Sequence, residues 1–535
     1  MTRPWQKGVP SIQKDLIIPE ISLYEILKKS AQTYRDRAAI IFEDEMISYK
    51  QLFDRVNRLV DSWNRIEMKK GQRIGLMLSN HPNYILSYYA AQALGMIVVQ
   101  INPMYTHREL LQIVDNSKLS HIVVEPECLD IVNQVQFMCT IDTIIVPGDK
   151  LELNGNKNGT YYLLKDLIDS GEPAEVNPDI AVFDDVAVIQ YTGGTTGKIK
   201  GAMLTHYNLV ANVVQSRLMY GEEMKDGEEV VLTATPLYHV YAMTSAMNLG
   251  LYMGSTILLL KKFEIEEVLQ NIQTFRPTFF PGVPRMYNAF VNHPKVEQYG
   301  LDCLKFCSSG SAPLPVEIIK KFERLTGAII GEGFGMTETS PSTHRNPIFG
   351  VRKVGSIGIP LPGTDCKVVD DDKNELPPKS VGELVIKGPQ VMKGYWNNEV
   401  ETLLAIGNGW LNTGDLAMMD EDGYFYIVGR KKEMIINGGF NIYPQEVEGV
   451  LYEHPHIKEA AVVGIPDTDK GEIVKAFVVP KEGYQLDIEE LKGHCYRNLT
   501  RYKVPKLFEI REALPRNTVG KLLKRKLVEE ETNTK

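Results

Sequence analysis

The chain has 535 residues, 43% of them hydrophobic and 24% charged, with a formal net charge of −9. That length exceeds one simple core and predicts several domain-sized units, and the composition is that of a globular chain rather than a disordered one. The acidic balance argues against nonspecific nucleic-acid binding. The six cysteines show neither CxxC nor zinc spacing, and no secretory apolar segment opens the chain, so a reducing, cytoplasmic setting is expected.

In chain order, helical periodicity over residues 49–63 and 83–94 alternates with short apolar strands at 73–78 and 97–101, which predicts layered α/β architecture. Segment 147–180 is polar and contains Gly, Asn and Pro; it reads as a connection carrying a short helix at 163–168. An apolar strand at 186–189 then runs into a stretch rich in Thr, Gly and Lys that ends at Gly201. From Val240 to Leu260 no residue is charged, over 21 positions, which is enough to span a membrane. Thr244, Ser245, Asn248, Gly250 and Gly254 interrupt it, so a buried helix over 242–253 and a strand over 255–260 are expected instead, bordering an apolar pocket. Cys303 and Cys307 are four apart and could face together on a helix, although Leu304 and Phe306 favour plain buried thiols. After about residue 350, strands at 364–369 and 382–387 flank an acidic turn at 370–374, giving a β-rich portion. Beyond Arg430 a small unit follows, with helices at 444–452 and 488–499 and strands at 459–464 and 474–480.

The stretch Thr192-Gly193-Gly194-Thr195-Thr196-Gly197-Lys198-Ile199-Lys200 offers hydroxyls, backbone amides and lysines to an anion. It is not a Walker loop, because Thr192 stands where that pattern needs glycine and Ile199 follows Lys198 where it needs Ser or Thr. The plain alternative is a solvated hairpin turn. Further along stand Ser308-Ser309-Gly310-Ser311-Ala312, Gly333-Phe334-Gly335-Met336-Thr337-Glu338, Thr413-Gly414-Asp415, Gly429-Arg430-Lys431-Lys432, Gly438-Gly439 and, near the end, Gly520-Lys521.

This ordered set resembles the adenylate-forming superfamily of acyl-CoA synthetases, peptide-synthetase adenylation domains and luciferases. Through Pro236-Leu237-Tyr238-His239-Val240-Tyr241 and the run from Asn408 to Asp415 it is most similar to the bacterial long-chain fatty acyl-CoA ligases. The resemblance implies a large multi-subdomain α/β domain over 1–430 with a β-rich portion, and a smaller mobile α+β domain over 431–535. It implies two half-reactions, acyl-AMP formation and transfer to coenzyme A, with ATP and coenzyme A as co-substrates and Mg2+ as cofactor. The implied partners are a fatty acid, ATP and CoA, with no nucleic acid and no integral membrane segment; peripheral membrane association and a homodimer stay open. So do medium-chain acids, aryl acids and a separate carrier protein as the acceptor.

By the same resemblance Thr192, Gly193, Gly194, Thr195, Thr196, Gly197 and Lys200 hold the phosphates, with proline commoner than Ile199. Glu332, Gly333, Phe334 and Gly335 lie at the adenine, whose flat ring suits Phe334, and Gly310, Ser311 and Ala312 pass beneath it. Thr337 belongs near the α-phosphate. Glu338, with Thr192, is the implied magnesium ligand, a hard oxygen donor for a hard cation. Asp415 takes the ribose hydroxyls, one carboxylate serving two donors, with Arg430 beside it. His239 positions the substrate carboxylate; Lys432 is the hinge; Gly438 and Gly439 border pantetheine; Lys521 is the catalytic lysine. Relatives that activate amino acids place an aspartate in the 238–241 region, and none stands here.

Overall fold

The computed structural model describes residues 3–8, 16–150, 159–193, 199–348, 350–467, 470–516 and 521–533. Two compact units emerge, one formed by Met1–Asp365 with Lys387–Leu411, the other by Cys366–Ile386 with Asn412–Lys535.

The first unit is built on two large sheets. In one, the strands Ile329–Gly335, Phe306–Ser309, Phe279–Gly282, Val230–Thr233, Thr256–Leu259 and Ala38–Phe42 are neighbours in that order and run parallel. Antiparallel strands finish both edges. In the other, Val186–Gly193, Ile97–Gln100, Arg73–Met77, His121–Val124, Thr143–Val146 and Thr160–Leu163 are parallel, and the hairpin partner Ile199–Thr205 adds an antiparallel strand. Strands buried on both faces read as continuous apolar runs, which is why Arg73–Met77 and Ile97–Gln100 were legible.

The helices form for local reasons. Ser48 caps Tyr49–Arg65 with a reciprocal bond from Gln51, and Leu52, Val56, Leu59, Val60 and Trp63 form its buried stripe. Each such fully buried side chain contributes about 1.5–3 kcal/mol.

The uncharged stretch at 240–260 resolves into a buried helical segment from Val240 to Tyr252 and the strand Thr256–Leu259. Its middle, Met243–Asn248, widens to a π-helix. Met243, Met247 and Leu251 pack in the main core, and the Tyr89 hydroxyl donates to Asn248 at 2.9 Å. No helix among the described residues is long and apolar enough to cross a membrane.

The shared helix face for Cys303 and Cys307 is not formed. Cys303 ends a single 3-10 turn, Leu301–Cys303, while Cys307 lies on the strand Phe306–Ser309, where burial pushes its thiol pKa up.

Asp365–Val369, Val381–Lys387, Trp410–Met419 and Phe425–Arg430, most of whose residues fall in the second unit, belong to one small sheet. A second sheet joins Phe440–Ile442, Ile435–Asn437, Gly471–Pro480 and Ile457–Asp467, with Leu507–Ile510 parallel to Gly471–Pro480. Successive residues of Ile457–Asp467 serve opposite faces: Ala460 and Val462 join one core, and Ala461, Val463 and Ile465 another. Helices Pro444–Tyr452 and Ile488–Asn498 begin within a residue of the expected positions.

Candidate active site

In the nine-stranded sheet the singled-out residues collect at the carboxyl ends of parallel strands, where open α/β sheets bind ligands. Glu332, Gly333, Phe334 and Gly335 form the end of Ile329–Gly335, Gly310 to Ala312 follow Phe306–Ser309, and Pro236 to Tyr241 follow Val230–Thr233. Tyr241 ties two of these together: its hydroxyl meets Ser308 Oγ at 2.9 Å and donates to the Ser308 carbonyl at 3.1 Å. A Cβ on Gly310 would stand 3.0 Å from the Tyr241 ring, and one on Gly335 would stand 2.3 Å from the Pro341 carbonyl, so both glycines permit close approach. Ser311 has φ +70°, a left-handed conformation that costs a non-glycine residue energy and marks a constrained turn.

Glu332 is half-buried. Burial pushes its carboxyl pKa up to about 7, against the pull of the Gly355 N–H, which donates to Oε2 at 3.1 Å, and of the Arg352 guanidinium. Phe334 meets His344 edge to face, with 6.1 Å between ring centroids.

Val186–Gly193 and Ile199–Thr205 make an antiparallel pair in which Thr192 faces Lys200 and Gly193 faces Ile199. The described residues on either side of the Thr/Gly-rich stretch are thus neighbouring antiparallel strands. Gly194, Thr195, Thr196 and Gly197 lie outside the described residues. Ile199 opens the return strand.

The short strand Gly394–Tyr395 pairs with this hairpin, Tyr395 opposite Ala202. Tyr395 was not singled out from sequence, and it connects two residues that were. Its hydroxyl donates to Glu338 Oε1 at 2.7 Å, and the Lys200 ammonium lies 5.2 Å from its ring centroid. Burial and then the Glu338 charge raise the Tyr395 pKa, so the phenol stays protonated and donating. Glu338 is only 8% exposed and follows Thr337 in a 3-10 turn. Lys200 is also ion-paired to Glu401 at 2.5 Å.

Among the described residues no group of three or more His, Cys, Asp or Glu could hold a metal ion. Glu338 is a buried carboxylate oxygen donor, the kind of single ligand that would suit a cation bringing most of its oxygen ligands along, as Mg2+ on a polyphosphate does.

His239 caps the helical segment at Val240, its Nδ1 accepting from the Tyr241 N–H at 3.3 Å. With Nδ1 an acceptor, the neutral ring carries its proton on Nε2 and is a hydrogen-bond donor there.

Within the second unit Asp415 and Arg430 sit directly opposite each other on adjacent antiparallel strands. Arg430 Nε meets Asp415 Oδ1 at 2.8 Å, and the Asp415 side chain is 3% exposed. Asp415 lies inside Trp410–Met419, where Gly414, at φ +70°, precedes it.

Lys431, Lys432 and Glu433 form a 3-10 turn on which Lys432 is exposed. Gly438 and Gly439 have φ +58° and +84° and connect Ile435–Asn437 to Phe440–Ile442 as a two-residue hairpin loop, which gives them a structural reason beside the expected one. Lys521 is exposed at the start of the final described segment; Gly520 lies outside the described residues. Three residues later, Lys524 reaches Glu448 at 2.8 Å and Glu433 at 3.4 Å. Burial opposes its charge, but the two carboxylates outweigh that and raise its pKa.

A cleft of about 770 Å³ near Asn80, His81, Glu125, Lys165 and Lys261 holds none of the residues singled out above. Its lining mixes both charge signs.

The chain belongs to the AMP-binding enzyme family. Residues 27–396 match the AMP-binding enzyme model and residues 446–521 the AMP-binding enzyme C-terminal domain. It is similar to a long-chain-fatty-acid–CoA ligase of Bacillus subtilis (strain 168), 42% identical, with 99% of this chain and 98% of that protein covered. A protein of the same name from Escherichia coli O6:H1 is 37% identical over the same shares. Among solved structures, ATP-bound MatB from Rhodopseudomonas palustris superposes with a TM-score of 0.87 at 29% identity, covering 96% of this chain and 100% of that one.

Proposed function

We propose that this protein is an AMP-forming acid–thiol ligase that activates long-chain fatty acids. The carboxylate oxygen attacks the α-phosphorus of ATP and pyrophosphate leaves; the thiol sulfur of coenzyme A then attacks the acyl carbon and AMP leaves. The single observation that carries the reading is Tyr395, which holds the hairpin lysine Lys200 over its ring and the buried carboxylate Glu338 at its hydroxyl. A cation beside an anion fits a metal–polyphosphate complex, whose metal and terminal oxygens have opposite charge. Relatives that share 42% and 37% of the sequence over nearly the whole chain, both called long-chain-fatty-acid–CoA ligases, support the substrate class.

In this reading Lys200, Thr192 and the residues Gly193 to Gly197 hold the β- and γ-phosphates. Glu338, with Thr192, would hold Mg2+, which would neutralise charge on the leaving pyrophosphate. The Tyr395 hydrogen bond fixes the Glu338 carboxylate. Phe334 takes the adenine face between Gly333 and Gly335, and Glu332 accepts from its exocyclic amine. Gly310, Ser311 and Ala312 lie below the base, and Thr337 near the α-phosphate. Asp415, oriented by Arg430, accepts from the ribose hydroxyls. His239 donates from Nε2 to the substrate carboxylate. Lys521 brings a cation to the oxygens between which charge develops in adenylation. Rotation at Lys432 then exchanges Lys521 for the Gly438–Gly439 hairpin, along which pantetheine enters. Tyr238 to Tyr241 supply no carboxylate for an α-ammonium, which would be costly to bury unpaired.

The test is CoA-dependent AMP release across acids from acetate to oleate, with benzoate, coumarate and amino acids included. Long-chain acids should give the highest kcat/KM and amino acids no turnover. Benzoate or coumarate outrunning oleate would overturn the substrate class, and AMP release that ignores CoA would overturn the acceptor.

A further inference from the structure

Glu401 lies in the first turn of Glu399–Ala405, a short helix that the substrate-site residues do not include. The helix start is fastened in place. Asn398 caps it, and the Thr402 hydroxyl accepts from the Tyr395 N–H at 2.8 Å while donating to the Asn398 carbonyl at 2.8 Å. Glu401 is thereby held on the same residue whose ring faces Lys200 and whose hydroxyl bonds Glu338. The Lys200–Glu401 pair is closed at 2.5 Å, with Lys200 17% and Glu401 37% exposed. An ammonium so placed has its charge satisfied before any phosphate arrives.

We propose that Glu401 is the resident counter-ion of Lys200 and that the terminal phosphates of ATP must displace it. This rests on the reading of Lys200 as a phosphate lysine. A carboxylate and a phosphate oxygen compete for one ammonium. Glu401 therefore weakens ATP binding while balancing the Lys200 charge in the empty site and keeping Lys200 in position. AMP, lacking the β- and γ-phosphates, has nothing to exchange with Glu401. The residue sets affinity for the triphosphate end alone.

The experiment is calorimetric titration of Glu401→Gln, Lys200→Met and the double variant with MgATP and with AMP, without acyl substrate. Glu401→Gln should tighten MgATP binding by about 3- to 10-fold, the range for a partly buried ion pair and its charged hydrogen bond, and leave AMP within about twofold. Lys200→Met should weaken MgATP, and the double variant should match it, because the carboxylate acts only through the lysine. If Glu401→Gln leaves MgATP binding unchanged or weaker, or moves AMP equally, the counter-ion role is wrong. If Lys200→Met binds MgATP like the wild type, the reading of Lys200 fails and this inference with it.

Discussion

With its pKa pushed up to about 7, the Glu332 carboxyl would make the proposed adenine contact pH-dependent. The proposed bond runs from the adenine amine to an ionised oxygen, so the competent form is the deprotonated one. For one proton with pKa near 7, the apparent dissociation constant scales as one plus ten to the power of pKa minus pH, so binding weakens up to roughly tenfold from pH 8 to pH 6. The neutral acid keeps a carbonyl acceptor, so tenfold is the ceiling. Adenosine is the right probe, since the phosphates of AMP and ATP titrate in the same window. Its affinity should rise with pH and level off above the Glu332 pKa. Glu332→Gln keeps the shape and an acceptor without a titrating proton, so its profile should be flat. An adenosine affinity that is level from pH 6 to 8 in the wild type, or that slopes equally in Glu332→Gln, would refute both the placement and the reasoning.

His206 is fully buried, its Nδ1 accepts from the Leu23 N–H at 3.3 Å, and burial lowers its pKa from 6.5 to about 4. A depressed histidine contributes stability present above pH 6.5 and lost as pH falls toward 4, about 2 kcal/mol of it by pH 5. Urea unfolding followed by tryptophan fluorescence reads this, because all four tryptophans belong to the first unit; His206→Gln should lose less between pH 7 and 5 than wild type, and parallel losses would count against it. The two half-reactions should separate. Lys521→Ala should lose adenylation by about 10²- to 10³-fold yet still form thioester from supplied acyl-AMP, whereas Gly439→Leu should adenylate and fail in CoA transfer; equal loss of both steps in both variants would remove the alternation. Lys524→Met strands Glu433 and Glu448 and should cost about 3 kcal/mol, seen as faster amide exchange in Pro444–Tyr452, with Lys524→Arg largely restoring protection; unchanged exchange in Lys524→Met would show the pairing to be idle.

Local signals carried the fold class and some of its elements. Apolar runs marked parallel strands such as Arg73–Met77 and Ile97–Gln100, and helical periodicity marked Tyr49–Arg65. The motif residues stood out in sequence because glycines, hydroxyls and single charges recur there in a family order. What sequence did not reveal was set by distant pairing. Tyr395 matters because it registers with Ala202 across nearly two hundred positions, and Glu401 because a helix start is pinned to it; no spacing signals either. Cys303 and Cys307 have helical spacing, yet Gly300 turns left-handed and residues from Phe306 are drawn into a strand beside Phe279–Gly282. The pairing of Asp415 with Arg430 across two antiparallel strands likewise has no local signal.

The parallel pairing of Ile40 with Ile257 also sets a schedule for the chain as it is made. The strand Ala38–Phe42 emerges from the ribosome with one neighbour, Glu45–Ser48, and its other edge waits for more than two hundred further residues. At synthesis rates of about 5–20 residues per second that wait lasts on the order of ten to forty seconds, during which Ile41, whose core companions Leu232, Leu258 and Phe280 lie far downstream, has no core to enter. The hairpin Val186–Gly193 and Ile199–Thr205 waits in turn for Gly394–Tyr395 to cover its outer edge. Newly synthesised copies are thus exposed to aggregation, through apolar strand edges, until most of the first unit has been translated.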